Sequence, residues 1–159
     1  MDINSTLMGL LIILCCIIPA IIIQYKRNQK EKRKRSVIEQ KATNLNCKIK
    51  DYDANENFSL ALSDDNKILF LLLNSETENE VETILLEDFN ACKINTLRST
   101  IVKNGLSESH IQTLELELIA KTTGTKNKKL EFYDASKSFE LHNELISIKK
   151  WNSLIGKCF

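Results

Sequence analysis

The chain has 159 residues, of which 22 are Lys or Arg and 21 are Asp or Glu, so its formal net charge is +1. This near-neutral total hides an asymmetry, because residues 24–35 contain seven basic residues and one acidic residue, whereas residues 36–159 contain 15 basic and 19 acidic residues, about −4. An acidic domain argues against nucleic-acid binding, which requires a basic face. The roughly 120 residues that follow position 35 suffice for one compact domain and not for two.

The first element in the chain is the uncharged segment Leu7–Ile23, which contains four Leu and seven Ile. As a helix it spans about 26 Å, and its flanking residues extend it to about 30 Å, the thickness of a bilayer's hydrocarbon core. The Leu and Ile residues contribute about −3 to −7 kcal/mol on an insertion scale. Tyr25 lies where an interfacial aromatic side chain is expected. The sequence therefore predicts a transmembrane helix over residues 7–25.

Two alternatives to an uncleaved signal-anchor are open. A cleaved signal peptide has basic residues before its apolar region and small residues at its cleavage site. Here residues 1–6 contain no Lys or Arg, and Ala20 is followed by three Ile. The second alternative is a buried helix of a soluble protein. The length of the apolar segment and the basic residues behind it favour the anchor over both.

A run of basic residues follows the apolar segment, and we call it the basic collar. By the positive-inside rule it predicts a short extracytoplasmic N-terminus (residues 1–6) and a cytoplasmic C-terminal domain, in a single-pass protein of the cell (inner) membrane. Each basic side chain near an anionic leaflet contributes about 1 kcal/mol of attraction before salt screening. The collar is thus the main candidate for contact with the membrane surface: Lys26, Arg27, Lys30, Lys32, Arg33, Lys34 and Arg35.

Residues 26–45 are good helix formers without Gly or Pro, and they predict a basic juxtamembrane helical stalk. Ile38, Ala42 and Leu45 follow the helical spacing i, i+4, i+7. We interpret them as a short face that docks against the domain, because a dimer seam would need three or four heptads.

The domain, residues 46–159, begins with strand patterns. Phe58, Leu60 and Leu62 alternate with small residues, and Ser63–Asn66 supplies turn chemistry before a second apolar strand. The clearest alternation places Leu114, Leu116 and Leu118 on one face and Glu115 and Glu117 on the other. The predicted strands are 58–62, 68–73, 81–86, 90–95, 97–103, 111–121 and 129–133, with a turn at Asn104-Gly105.

A helical period returns at the end of the chain. Leu141, Leu145, Ile148 and Ile155 share one face, and Trp151 lies beside them as a core residue. Asp134 or Ser136 is the expected N-cap, and Gly156 the expected stop.

These elements resemble the pleckstrin-homology-like fold over about residues 57–155. The resemblance is carried by FSLALSDDNKILFLLL, ETILLEDFNACKI, IQTLELELIAKT, KKLEFYDA and FELHNELISIKKWNSLI. It implies an α+β domain: a small antiparallel, partly open seven-stranded barrel capped by a C-terminal α-helix. More specifically, the chain resembles uncharacterised bacterial single-pass membrane proteins with such a cytoplasmic domain. Family members often bind phosphoinositides, other ligands or peptides. Lipid-binding members resemble one another in a basic first hairpin loop, whereas Ser63–Asn66 is acidic.

No motif for catalysis, cofactor binding or metal binding occurs in the sequence. The four glycines are scattered, and neither His110 nor His142 has a second His or Cys at a metal-ligand spacing. Glu115 and Glu117, on one strand face, are typical of solvated side chains. Cys47, Cys92 and Cys158 are expected to be free thiols in a reducing cytoplasm. The sequence predicts a protein that is not an enzyme and has no cofactor.

One loop, TTGTKNKK at residues 122–129, concentrates basic residues: Lys126, Lys128 and Lys129. It is either an ordinary solvated turn or a second contact with the membrane or an acidic partner.

The sequence is compatible with three functions. The leading one is a membrane-tethered binding or scaffold module for another membrane or cytoplasmic protein, contacted through exposed sheet edges. The others are an anionic-lipid sensor that uses the collar and loop 122–129, and an accessory subunit whose small residues pack against other membrane helices, at Gly9, Cys15, Cys16 and Ala20.

Overall fold

The computed structural model describes residues 3–55, 58–73, 80–103, 106–122, 124–137, 141 and 143–159, without the side chains of residues 3–16, 20, 101–103, 106 and 108. Over that part of the chain the protein is α+β, with two α-helices and seven strands that pair antiparallel. The elements are α1 (Ile3–Asn44), β1 (Ile49–Ala54), β2 (Phe58–Ser63), β3 (Ile68–Leu73), β4 (Val81–Leu85), a 3₁₀ turn (Leu86–Asp88), β5 (Phe89–Lys103), β6 (Leu106–Ala120), β7 (Lys128–Asp134) and α2 (Glu144–Ile155).

The strands form two sheets, each in sequence order. Sheet A is β1-β2-β3-β4 and sheet B is β5-β6-β7. No hydrogen-bonded ladder joins the two sheets within the described ranges, so their strands do not close into one barrel. The predicted hairpin between β2 and β3 is confirmed: Asn66 has a φ of 57°, and the Ser63 hydroxyl donates a 2.5 Å hydrogen bond to Asp65 and accepts one of 2.9 Å from the Ile68 N–H.

The seven strands are not the seven that the sequence predicts. β1 was absent from the prediction because IKDYDA mixes charged and apolar residues without a clean alternation. β5 is one strand of 15 residues, whereas two were predicted at 90–95 and 97–103. The pairing runs unbroken through the polar Asn95 and Thr96, which lie opposite Glu115 and Leu114. β6 also begins five residues earlier than predicted, and the expected Asn104-Gly105 turn lies outside the described residues.

Because β1 precedes β2, the first hairpin loop is residues 55–57 and not Ser63–Asn66. The sequence of this loop is Asn-Glu-Asn, so it also lacks Lys and Arg. Its last two residues lie outside the described part of the chain.

The main core lies between the sheets and beneath α2. The Leu side chains at 114, 116 and 118 of β6 are fully buried, as predicted. The rings of Phe58 and Phe132 meet edge to face with centroids 4.8 Å apart. Trp151 is 0% exposed and is confirmed as a core residue.

The start of α2 differs from the prediction. Asp134 and Ser136 do not cap it, because they close a turn after β7 in which the Ser136 N–H and hydroxyl both donate to the Asp134 carboxylate, at 2.9 and 2.8 Å. The helix begins at Glu144, so Leu141 precedes it and packs, half-buried, against the core. The end after Ile155, at Gly156, is as predicted.

A second apolar cluster joins α1 to the outer face of sheet A. Ile38 and Ala42 are 0% and 1% exposed. We call this contact the docking seam; its sheet residues are Ala61, Phe70, Leu72 and Val81. The predicted docking face is therefore confirmed for two of its three residues. Leu45 is 44% exposed because α1 ends at Asn44 and the chain turns away there.

The helix α1 runs unbroken from Ile3 to Asn44 and contains Pro19. Among the residues whose side chains are described, no helix is both long and apolar enough to cross a membrane. Residues 7–16 and 20, which make up most of the predicted transmembrane segment, have side chains outside that set.

Replacing Ile38 with Ala removes buried methyl groups from the docking seam and leaves a cavity. We expect it to lower the free energy of unfolding by about 2–5 kcal/mol. Urea-induced unfolding of the full chain in detergent, followed by Trp151 fluorescence, measures this loss. The matched control is Leu45→Ala, which changes an exposed residue of the same predicted stripe and should stay within about 0.5 kcal/mol of wild type. Equal losses in the two variants would contradict the docked geometry.

Candidate functional site

The basic collar projects from one stretch of α1, and its side chains are exposed apart from Lys34, which is half-buried. Burial lowers the pKa of Lys34, and the neighbouring charge of Lys30 lowers it further. Arg35 contacts the domain. Its guanidinium lies 5.6 Å from the centre of the Tyr52 ring and 2.9 Å from the Glu39 carboxylate. The end of the collar is therefore fixed against β1.

The lysines of loop 122–129 do not form an unopposed positive patch. Lys128 pairs with Glu82 at 2.5 Å, and Lys129 pairs with Glu115 at 3.3 Å. Lys126 is exposed and has no ion pair among the described residues. Glu82 belongs to β4 of sheet A and Glu115 to β6 of sheet B, so Lys128 links the start of β7 to the other sheet and Lys129 pairs it with the adjacent strand. Within the described ranges, no hydrogen bond or ion pair joins this loop to the collar.

Glu117, whose side chain the sequence predicts to be solvated, lies instead at the centre of a polar network on sheet B. The Glu117 side chain is only 11% exposed. It accepts hydrogen bonds from the amides of Asn95 at 2.8 Å and Asn127 at 3.1 Å, and Lys93 lies 3.2 Å away. These contacts, the Asn95 bond first, lower the pKa of Glu117 to about 2.

The Glu117 network connects strands and a loop of sheet B. A carboxyl with so low a pKa stays ionised at neutral pH and has no proton to donate as a general acid. Asn127 also accepts a 3.0 Å hydrogen bond from the Ala120 N–H, so the network ties loop 122–129 back onto β6. The cross-strand register places Lys93 directly opposite Glu117, and this pairing is the one signal that could have revealed the network.

A second carboxylate, Asp53 of β1, holds α2 in place. Its Oδ2 accepts hydrogen bonds from the Ser147 hydroxyl at 2.6 Å and from the Trp151 indole N–H at 3.2 Å. Asp53 lies opposite Leu60, a residue of the main core, so its carboxylate points toward α2. Sequence reasoning missed this contact because it did not predict β1.

The thiols of Cys47, Cys92 and Cys158 are free. Burial raises the pKa of all three, and the nearby Cys158 raises that of Cys92 further. Since the thiolate is the reactive form, these cysteines are poor nucleophiles at neutral pH. No group of three or more potential metal ligands occurs in the described part of the chain.

Removing the Asp53 carboxylate leaves the Trp151 indole N–H buried without its acceptor. Asp53→Ala should lower the free energy of unfolding by about 1–3 kcal/mol. Asp53→Asn retains an acceptor oxygen and should cost less. The control is Asp51→Ala on the same strand, for which near-wild-type stability is expected. An Asp53→Ala variant as stable as Asp51→Ala would show that the contact does not hold α2.

The Glu117 network should make stability depend on pH in a defined direction. The ordinary pKa of 4.5 falls to about 2 in the folded protein, so the ionised network stabilises the fold above about pH 4.5 and this contribution is lost as the pH falls toward 2. Glu117→Gln should therefore have a lower Tm than wild type at pH 7, and the difference should narrow below pH 4.5. Thermal unfolding across this range measures it, with the exposed Glu87→Gln as control. A difference that widens in acid would refute the assignment.

No protein-family model, no curated protein and no solved structure matches the chain.

Proposed function

We propose that the chain is a non-catalytic, membrane-tethered binding or scaffold module, with its N-terminus outside and its C-terminal domain in the cytoplasm. The observation that carries the proposal is the continuity of α1, which includes the apolar segment Leu7–Ile23, the basic collar and the docking seam in one helix. The segment suited to a bilayer and the folded domain are thus joined by a helix and not by a flexible linker.

A small domain tethered in this way can act by binding alone, without catalysing a reaction. Confinement to a membrane raises the effective concentration of a weak binder near other membrane proteins. Two carboxylates, Asp53 and Glu117, each accept two side-chain hydrogen bonds from other elements of the domain. Their oxygens are engaged in contacts within the fold, which supports a binding module over an enzyme.

We infer that the domain has the pleckstrin-homology-like fold. Support comes from two antiparallel sheets of four and three strands, in sequence order, followed by a C-terminal helix that buries Trp151 in the core. The strands at the sheet edges are β1, β4, β5 and β7. An extended segment of a partner protein can add to such an edge through main-chain hydrogen bonds.

The lipid-sensing alternative receives less support from the described residues. Lys128 and Lys129 are paired with carboxylates. The first hairpin loop, residues 55–57, contains no basic residue, and the second, residues 64–67, contains two Asp and one Lys. Electrostatic attraction to anionic lipid is therefore assigned to the collar, where it assists the anchor.

The tether is tested by placing charge in the apolar segment. Ile13→Lys combined with Ile17→Lys should abolish membrane integration, because two lysines near the middle of the segment cost about 5–7 kcal/mol, comparable with the whole gain from the Leu and Ile side chains. Carbonate extraction of cell membranes followed by blotting measures the retained fraction. Wild type should stay in the pellet and the double variant should not.

The matched control for this test is Ile146→Lys, which places the same charge on α2 at a side chain that is 70% exposed. It should leave membrane retention unchanged. Extraction of the wild-type protein by carbonate, or retention of the double variant, would overturn the tether. Photo-cross-linking in intact membranes, with wild type and the double variant compared, then tests the scaffold: protein cross-links should depend on membrane integration.

A further inference from the structure

We propose that the exposed face of α2 binds a second copy of the chain, at the turn that joins β4 to β5. The inference names a partner for the scaffold. It rests on the proposed function in one respect, because the membrane tether supplies the high local concentration that a small contact between two copies needs.

The exposed face of α2 combines one apolar side chain with two lysines, and we call it the α2 ridge. Ile146 is 70% exposed. Lys149, Lys150 and Ser153 follow it at the helical spacings i+3, i+4 and i+7, and all three are exposed. Lys150 lies 5.7 Å from the centre of the Trp151 ring, but neither lysine has an ion pair with a carboxylate of the described residues.

The charge of the domain is divided unevenly between this helix and the rest. Residues 36–144 contain 12 basic and 19 acidic residues, about −7, whereas residues 145–159 contain three Lys and no Asp or Glu. One end of the chain is therefore positive and the remainder is negative. Such a distribution favours contact between the positive part of one copy and a negative part of another.

The turn between β4 and β5 presents the complementary combination, and we call it the acidic turn. Leu85 is 43% exposed, and Glu87 and Asp88 are both exposed. Leu86 between them is buried in the main core, and the Asp88 carbonyl accepts a 2.9 Å hydrogen bond from the Lys121 N–H. The turn is thus fixed to the domain. No ion pair of the described residues involves Glu87 or Asp88.

The two surfaces match in size and in composition. From Ile146 to Lys150 the helix advances about 6 Å, and from Leu85 to Asp88 a 3₁₀ turn also advances about 6 Å. Each surface has one exposed apolar side chain beside two charges of the same sign. In the proposed contact Ile146 meets Leu85 of the next copy, and the two lysines meet the two carboxylates.

The presence of both surfaces on one chain is the reason to choose a second copy as the partner. An unrelated acidic protein or an anionic lipid surface would use the α2 ridge and leave the acidic turn without a role. The contact joins two different surfaces, so it is heterologous, and a pair of copies still has one α2 ridge and one acidic turn available. Assemblies of more than two copies follow from this geometry.

Zero-length cross-linking with a carbodiimide tests the contact directly, because it joins a lysine amine to a carboxylate with which it forms an ion pair. Equal amounts of ¹⁴N-labelled and ¹⁵N-labelled full chain are reconstituted together in vesicles of phosphatidylcholine and phosphatidylglycerol. Mass spectrometry should find mixed-isotope peptides that link Lys149 or Lys150 to Glu87 or Asp88. Absence of these peptides, or links only within one isotope, would overturn the proposal.

Charge reversal gives a second test, in which a contact that is lost should be recovered. Lys149→Glu combined with Lys150→Glu should reduce the mixed-isotope links several-fold, and so should Glu87→Lys combined with Asp88→Lys. Mixing the two variants brings opposite charges together again and should restore links between positions 149–150 and 87–88. No recovery in the mixture would contradict the contact.

The matched control is Lys41→Glu combined with Lys126→Glu, which changes the net charge equally at two exposed lysines outside the α2 ridge. It should leave the links unchanged. The links should also persist in vesicles of phosphatidylcholine alone, and their loss there would assign the α2 ridge to anionic lipid instead. In cell membranes, links from the α2 ridge only to another protein would likewise overturn the second copy as partner.

Failure of the full chain to enter vesicles would overturn the proposed tether and not this contact. The same mixed-isotope experiment at high protein concentration in detergent then decides the contact alone.

Discussion

The contact on which the rest of the arrangement depends is the burial of Ile38 and Ala42 against the outer face of sheet A. Sheets in small domains commonly leave one face to water, but here that face carries Ala61, Phe70, Leu72 and Val81, an apolar set that needs a cover. The helix that arrives from the N-terminus supplies it. Without this contact, α1 would be attached to the domain only through the turn at Leu45–Lys48 and the contact of Arg35 with Tyr52.

The two helices pack against different parts of the domain and have different structural roles. α2 buries Trp151 in the core between the sheets, and Asp53 fixes it through two hydrogen bonds. α1 lies on the opposite side of sheet A and makes apolar contacts with it. β2 is buried along its whole length because its side chains alternate between two apolar clusters. Leu60 and Leu62 point into the main core, and Ala61 points toward α1.

Sequence reasoning succeeded where one physical signal dominated. Periodic Leu residues in β6, the hairpin between β2 and β3, and the apolar stripe of α2 from Leu145 to Ile155 appear as predicted, because burial on one face dictates their spacing. It failed for β1, whose residues are stabilised by partners distant in the chain: Tyr52 by Arg35, and Asp53 by Ser147 and Trp151. No local pattern encodes such contacts. The role of Glu117 was missed for the same reason, since its environment is set by strand register.

Because α1 is one continuous helix, it also fixes the rotation of the domain about the helix axis relative to the N-terminal segment. Each residue of α1 adds about 100° of rotation and about 1.5 Å of length to the helix. The number of residues between the apolar segment and Ile38 therefore sets which side of that segment faces the same way as the domain. Inserting one residue among the collar would rotate the domain by more than a quarter turn about the helix axis. Inserting seven would nearly restore its azimuth while moving it about 10 Å along the helix. The number of residues in α1 therefore determines both the orientation of the domain about the helix axis and its position along that axis.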